Sequence, residues 1–104
     1  MSPDLRIDTD GLHTFCQKWC VSELALFGSV LRDDFGPESD IDILVTFLPH
    51  FRPRFSDLET MEQELASFFG RSVDLVQRTA VERSENYLRR EAILGHLRTL
   101  YRAA

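Results

Sequence analysis

The feature that most constrains the fold of this chain is an apolar segment that begins between two aspartates. Residues 41–48 are Ile, Leu, Val, Thr and Phe apart from one acid, and Pro49 closes the run, so they predict a buried strand. Asp40 and Asp42 stand at its start, although aspartate is depleted in strands. Because side chains alternate along a strand, both acids point to one side while the isoleucines beside them point into the core. The fold must therefore hold two carboxylates close together at one end of a buried strand.

Turn residues and apolar periodicity divide the rest of the chain into short elements. The predicted elements begin with a helix over 11–19 capped by Asp10, a strand over 21–27 that ends at Gly28 and Ser29, a short helix over 30–35 and the strand over 41–48. Next come a helix that starts from a capping box at Ser56 and Glu59 and ends at Gly70, and a strand over 72–76. The last two elements are a short helix that starts from a capping box at Thr79 and Glu82 and an amphipathic helix from about 86 to 102.

This order of elements predicts an α/β (α+β) fold with a small mixed sheet of three to four strands flanked by helices. Three strands cannot close a barrel, so helices must cover at least one face of the sheet. The 104 residues, 43% of them hydrophobic, are enough for one modest core. We therefore expect residues 1–104 to form a single domain that gains stability from a partner.

The charge of the chain argues against several classes of partner. Twelve Lys and Arg against 17 Asp and Glu give a formal net charge of −5, which disfavours direct binding to nucleic acid or to an anionic membrane surface. No apolar run reaches the roughly 20 residues of a membrane-spanning helix, and the polar, acidic N-terminus differs from a secretory signal. A cytoplasmic location is expected. The C-terminal end is richer in Arg than in acids, which makes it a candidate contact surface.

Cys16 and Cys20 are the only cysteines, and their spacing of four would place both on one face of a helix. Two cysteines at this spacing are not a disulfide framework, and a zinc site built with His13 would lack a fourth ligand. We expect both cysteines to be packing residues.

A third acid and a Gly-Ser turn make the aspartate pair a candidate site. Asp74 interrupts the third predicted strand, and three carboxylates converge if it faces the same side as Asp40 and Asp42; such hard oxygen donors suit Mg²⁺ or Mn²⁺ better than Zn²⁺. Gly28 and Ser29, between a strand and a helix, can cradle a phosphate with backbone amides and a hydroxyl. A solvated strand start explains Asp-x-Asp taken alone, but the Gly-Ser turn shortly before it predicts a site for a nucleoside triphosphate.

The spacing of these residues resembles the signature of the DNA polymerase beta-type nucleotidyltransferases. The motif is Gly28-Ser29, ten further residues, then Asp40-x-Asp42, with Asp74 in a later strand. The stretches over 27–45 and 70–76 are similar to the minimal nucleotidyltransferase (MNT) subgroup, including the Arg32 that often follows the Gly-Ser pair. Many members carry glycine at the next position, where this chain has aspartate. The resemblance implies the nucleotidyltransferase fold.

Members of that subgroup are commonly antitoxins encoded beside a HEPN-domain ribonuclease toxin, and they use ATP to transfer AMP onto a tyrosine of that toxin. The resemblance therefore implies a protein adenylyltransferase that uses two Mg²⁺ ions, with Mn²⁺ as a substitute. Carried over by position, Asp40 and Asp42 would bind both ions, and Asp74 would complete the site on the nucleophile side and act as general base. Gly28 and Ser29 would hold the β- and γ-phosphates. Arg32 would contact a phosphate or the partner, or form surface ion pairs.

Two other functions are compatible with the sequence. A binding antitoxin that neutralises its toxin by occlusion would need no catalysis, and the small core and the Arg-rich C-terminal end favour such a contact. Transfer of a nucleotide to a small molecule is less favoured, because enzymes of that kind usually carry an additional substrate domain. Tyr87 and Tyr101 are candidate acceptors for self-modification, although Tyr101 falls in an apolar stripe that favours packing.

Overall fold

A computed structural model describes residues 9–28 and 40–103 of the chain. The short helix predicted over 30–35 lies outside the described residues, as do Ser29 and Arg32. No helix within the described ranges is both long enough and apolar enough to cross a membrane. The elements, in order, are α1 (Thr9–Lys18), β1 (Val21–Phe27), β2 (Ile41–Phe47), α2 (Phe55–Phe69), β3 (Val73–Gln77), α3 (Arg78–Glu82), α4 (Tyr87–Leu94) and β4 (Arg98–Arg102).

The strands form one mixed sheet in the order β3-β2-β1-β4. β1 runs antiparallel to both β2 and β4, whereas β2 and β3 are parallel. The parallel pair needs a crossover, which α2 supplies on one face of the sheet. The predicted α/β class with a small mixed sheet flanked by helices is confirmed, and the sheet has four strands in the described part of the chain.

Helices cover both faces of the sheet. On one face, β1 and β2 pack against α1 and α2 around fully buried residues such as Ile43. On the other face, Leu44 of β2 packs against Val81 of α3 and Ile93 of α4. Burial on both sides explains why β2 is almost continuously apolar. Asp42 shares its side of the strand with Leu44, so α3 and α4 cover the face on which this acid lies.

The prediction of one long helix over 86–102 was wrong. α4 ends at Leu94, Gly95 follows, and the chain then forms strand β4 beside β1. Glycine disfavours a helix interior by about 1 kcal/mol, and without β4 the edge of β1 would leave a row of backbone groups unpaired. Tyr101 lies on β4 and meets the His13 ring edge-to-face with the ring centroids 5.1 Å apart. It also packs against the main core, which confirms the packing interpretation.

The long helix α2 starts earlier than its predicted capping box. Arg54 is the N-cap residue, and its backbone N–H donates to the carboxylate Oδ2 of Asp57 at 2.9 Å. Ser56 therefore lies inside the first turn rather than at the N-cap, because Asp57 is the acid that reaches back to the cap. The predicted C-terminus is confirmed: Gly70 adopts the left-handed conformation, with φ of 69°.

Two shorter helices also begin before their predicted caps. α1 includes Asp10 in its first turn, where a negative charge still favours the helix N-terminus. α3 begins at Arg78 with Gln77 as the N-cap residue, so Thr79 lies within the helix. Glu82 accepts a hydrogen bond from Arg78 at 3.3 Å instead of returning to the cap. The helices themselves were predicted; only the residues that start them were not.

The packing prediction is confirmed for Cys16, whereas Cys20 lies beyond the end of α1 and outside both core clusters of the described residues. Cys16 is fully buried in the main core, and burial raises the pKa of its thiol to about 12. Cys20 is half-buried in the turn after α1, at a φ of 55°. Within residues 9–28 and 40–103, no three His, Cys, Asp or Glu side chains are grouped so that they could hold a metal ion, so the zinc alternative has no support there.

We expect the two thiols to differ sharply in reactivity. The thiolate is the reactive species, so N-ethylmaleimide at pH 8 should label the native protein once, at Cys20, and should reach Cys16 only after unfolding in guanidinium chloride. Intact mass followed by peptide mapping measures this difference. Equal labelling of both cysteines in the native protein would contradict the buried position of Cys16.

Candidate active site

Two of the predicted site acids lie side by side in the sheet. β2 and β3 are parallel, and their register pairs Asp42 directly with Asp74. Residues paired across neighbouring strands point to the same face, and neighbouring strands lie about 4.8 Å apart, so the two carboxylates share one side of the sheet at close range. Asp74 is exposed and Asp42 is partly buried. The prediction that Asp74 faces the same side as Asp42 agrees with this register.

Asp40 occupies a different environment from the other two acids. It is exposed and precedes the first residue of β2, where the backbone N–H of Ile41 donates to the carbonyl of Ser72 at 2.9 Å. It is not among the residues that line the large cavity described below, and no three-acid group forms in the described ranges. The structure therefore brings Asp42 and Asp74 together, while a ligand role for Asp40 stays a prediction.

Gly28 sits directly against the Asp42 carboxylate. It follows the last residue of β1, Phe27, which is paired with Asp42 in the sheet. Its φ of 77° is a conformation that side chains rarely adopt. A Cβ atom at this position would overlap Oδ2 of Asp42 and lie 3.1 Å from its Cγ. A side chain at position 28 would therefore require the Asp42 carboxylate or the backbone to shift.

A glutamate on α2 supports the strand that carries Asp74. Oε2 of Glu62 accepts a hydrogen bond of 3.0 Å from the backbone N–H of Leu75, the next residue along β3. β3 is an edge strand, so this N–H would otherwise face outward without a strand partner. The bond fixes the outer side of β3 to α2 and thereby helps to keep Asp74 in register with Asp42.

The acid pair opens into a cavity with a volume of about 860 Å³. Gly28, Asp42 and Asp74 line one side. α4 and the turn after it form the other side, which includes Arg89 and His96. A volume of this size is within the range of small-molecule sites. The lining residues are Phe27, Gly28, Asp42, Asp74, Val76, Arg89, Ala92, Ile93, Gly95, His96 and Leu97.

Arg89 and His96 were not predicted to belong to the site, because both fall inside the single helix predicted over about 86–102. Both residues are exposed, yet they line the cavity because the chain turns after Leu94 to form β4. Their seven-residue spacing, which is about two helical turns, was the only signal that they share a side.

The donor set of this pair fits a divalent metal of the Mg²⁺ type. Both side chains are carboxylates, which supply the hard oxygen ligands that Mg²⁺ and Mn²⁺ prefer, and neither a thiol nor a histidine cluster competes among the lining residues. Gly28, which has no side chain, lies directly against the Asp42 carboxylate at the edge of the cavity. Chemically, the arrangement suits a metal-bound phosphate ester.

The chain is similar to a known protein family and to several known proteins. The model of the family described as "Nucleotidyltransferase domain" matches residues 11–98. A protein of Methanocaldococcus jannaschii, named "putative protein adenylyltransferase", is 38% identical over 64 residues, which are 62% of this chain and 64% of that protein. The chain thus spans just under two thirds of the length of this curated relative.

Solved structures share the fold. A chain in a crystal structure of a toxin–antitoxin pair with AMP-PNP superposes with a TM-score of 0.68 at 20% identity, over 93% of this chain and 75% of the other. A re-refined structure of a tri-AMPylated Shewanella oneidensis HEPN toxin in complex with an MNT antitoxin gives a TM-score of 0.60 at 21% identity, over 91% of this chain and 70% of the other. At these identities, the likeness establishes the fold alone.

Proposed function

Because this chain belongs to the nucleotidyltransferase domain family, we propose that it is an antitoxin that transfers AMP from ATP to a tyrosine of a cognate HEPN ribonuclease toxin. The observation that carries the proposal is the register of Asp42 and Asp74 beside Gly28 at a large cavity. Further support comes from the curated relative named for protein adenylyl transfer and from two toxin–antitoxin complexes of the same fold.

The proposed reaction is a single displacement at phosphorus. The hydroxyl oxygen of the acceptor tyrosine forms a bond to the α-phosphorus of ATP. The bond from that phosphorus to the α,β-bridging oxygen breaks, and pyrophosphate leaves with the electron pair. The hydroxyl proton passes to Asp74, which is exposed and open to an acceptor that enters from solvent. This chemistry demands positioning and charge neutralisation more than covalent participation by the protein, so a small fold suffices.

The remaining tasks at the site fall to the other acids, the Gly-Ser pair and Arg32. Asp42 and Asp74 would hold two Mg²⁺ ions together with Asp40, which alternation along the strand places on the same side. Divalent ions bound there would supply charge neutralisation at the reacting phosphate and the leaving pyrophosphate. We assign the backbone of Gly28 and the hydroxyl of Ser29 to the terminal phosphates. Arg32, outside the described residues like Ser29, is proposed to contact a phosphate or the partner.

The proposal is tested by incubating the purified chain with its cognate HEPN protein, ATP and Mg²⁺. We expect the intact mass of the HEPN protein to rise in steps of one AMP group, with the modification mapped to tyrosine. Glu59→Gln, at an exposed position of α2 away from the cavity, is the matched control and should behave as the wild type. If the two proteins form a complex and the toxin is silenced while its mass stays unchanged, neutralisation occurs by occlusion and the transfer proposal is rejected.

A further inference from the structure

The side of the cavity that faces the acid pair carries two side chains without a role in the reaction described above. Arg89 and Ala92 belong to α4, and His96 lies in the turn that follows it. Positions 89, 92 and 96 recur at the spacing of one helix side, so they share the side that faces the sheet cavity. We name these three residues the α4 wall.

The two ends of the α4 wall lie opposite two different parts of the acid site. In the antiparallel register of β1 with β4, Leu26 near the end of β1 pairs with Arg98, and His96, two residues before Arg98, lines the cavity together with Gly28. Arg89 lines the cavity together with Val76 of β3, two residues after Asp74. His96 therefore flanks the Gly28 side of the cavity, and Arg89 flanks the Asp74 side.

Neither polar group of the α4 wall is engaged elsewhere in the described part of the chain. The guanidinium of Arg89 and the imidazole of His96 make no hydrogen bond or ion pair to a described residue. Arg90, the next residue along α4, differs in this respect. Arg90 donates to the carbonyl of Ser84 at 3.3 Å and lies over the ring of Tyr87. Arg89 and His96 thus keep their donors available toward the cavity.

A nucleotide site with two carboxylates on one side needs hydrogen-bond donors on the opposite side for an electrostatic reason. A triphosphate is strongly anionic, and the chain as a whole is also negative. Metal ions offset the charge on the side of the carboxylates, whereas the opposite side of the phosphate chain has to be neutralised by protein donors. Arginine presents a planar fork of donors that matches phosphate oxygens, and an imidazole N–H can donate to another oxygen.

We propose that Arg89 and His96 bind the phosphate chain of the nucleotide from the α4 wall, opposite Asp42 and Asp74. The inference rests on the proposed function, because it takes the ligand of the cavity to be a nucleoside triphosphate. The inference assigns residues to the side of the nucleotide site that lies opposite the two acids. Ala92 lies between Arg89 and His96 along the chain, and its small side chain leaves space for both donors to reach the ligand.

The test is calorimetric titration of the chain with α,β-methylene-ATP and Mg²⁺, since this analogue cannot lose pyrophosphate. Hydrogen bonds to a charged group are each worth roughly a factor of 10 to 100 in affinity, so Arg89→Ala and His96→Ala should each weaken binding by about 10-fold or more. Adenosine, which has no phosphate, should bind the wild type and both variants alike. Arg83→Ala removes the same charge from an exposed arginine that does not line this cavity, and it should bind as the wild type does.

Each outcome separates the inference from the proposed function. If the wild type binds the analogue and both variants bind within 2-fold of it, the inference is overturned while the proposed function stands. If a folded wild type binds no nucleotide at all, both are overturned. If the variants lose adenosine as strongly as the triphosphate, they disturb the cavity as a whole and the phosphate role is rejected. Circular dichroism of each variant confirms that the comparison is between folded proteins.

Discussion

Replacement of Asp42 by asparagine is expected to lower the rate of AMP transfer by about three orders of magnitude, the effect typical of removing a principal charge-stabilising group from such a site. Asp42 is paired with Asp74, lies against Gly28 and lines the cavity, so it stands at the centre of the proposed site. Asparagine keeps the size of the side chain but removes its charge. The initial rate of AMP incorporation into the HEPN protein measures the effect.

Glu59→Gln is again the matched control, because it removes one negative charge from an exposed helix position and should leave the rate unchanged. Thermal unfolding of the Asp42→Asn protein should remain cooperative. A well-folded variant that keeps more than a tenth of the wild-type rate would mean that the acid pair is not the catalytic centre.

Replacement of Gly28 by alanine is expected to lower the rate of transfer by about 100-fold while leaving a folded protein. The added Cβ would overlap Oδ2 of Asp42, so either the carboxylate or the backbone must move away from the site. A displacement of about 1 Å is enough to cost a factor of roughly 100 in rate. The positive φ adds a stability cost of about 1–2 kcal/mol. Rates of AMP transfer and urea unfolding measure the two effects separately.

Gly70 supplies an internal control for that substitution. It also has a positive φ, 69°, but nothing lies within 4 Å of a Cβ built on it. Gly70→Ala should therefore show a similar loss of stability with normal transfer, because the backbone strain is the same and the steric overlap is absent. Equal transfer rates in the two variants would show that the close approach at Gly28 has no functional role.

The sequence predicted the elements of the site whose signal is local. The apolar run of β2, the acids that interrupt it, the glycine after β1 and the acid within β3 are all visible as departures from strand composition. Alternation predicted which side Asp42 faces, and the parallel register of β2 with β3 agrees with the expected position of Asp74. These features depend on the period of a strand, which a single sequence reveals well.

The features that the sequence did not predict depend on distant parts of the chain. The apolar pattern beyond Leu94 is compatible with a helix, and it becomes a strand because the edge of β1 is available to pair with it. This change of element also places His96 in the turn before β4, where it lines the cavity. α2 starts earlier than predicted for a local reason, because Asp57 and not Ser56 makes the capping hydrogen bond, which it accepts from the backbone N–H of Arg54.

The proposed nucleotidyl-transfer site is tested by a crystal structure of the chain soaked with Mn²⁺ and α,β-methylene-ATP, in which anomalous scattering locates the metal. We predict a manganese peak in contact with the carboxylates of both Asp42 and Asp74, and phosphates that lie next to the backbone of Gly28. A nucleotide bound elsewhere, or a metal that contacts neither acid, would contradict the central claim that this pair of strands forms the nucleotidyl-transfer site.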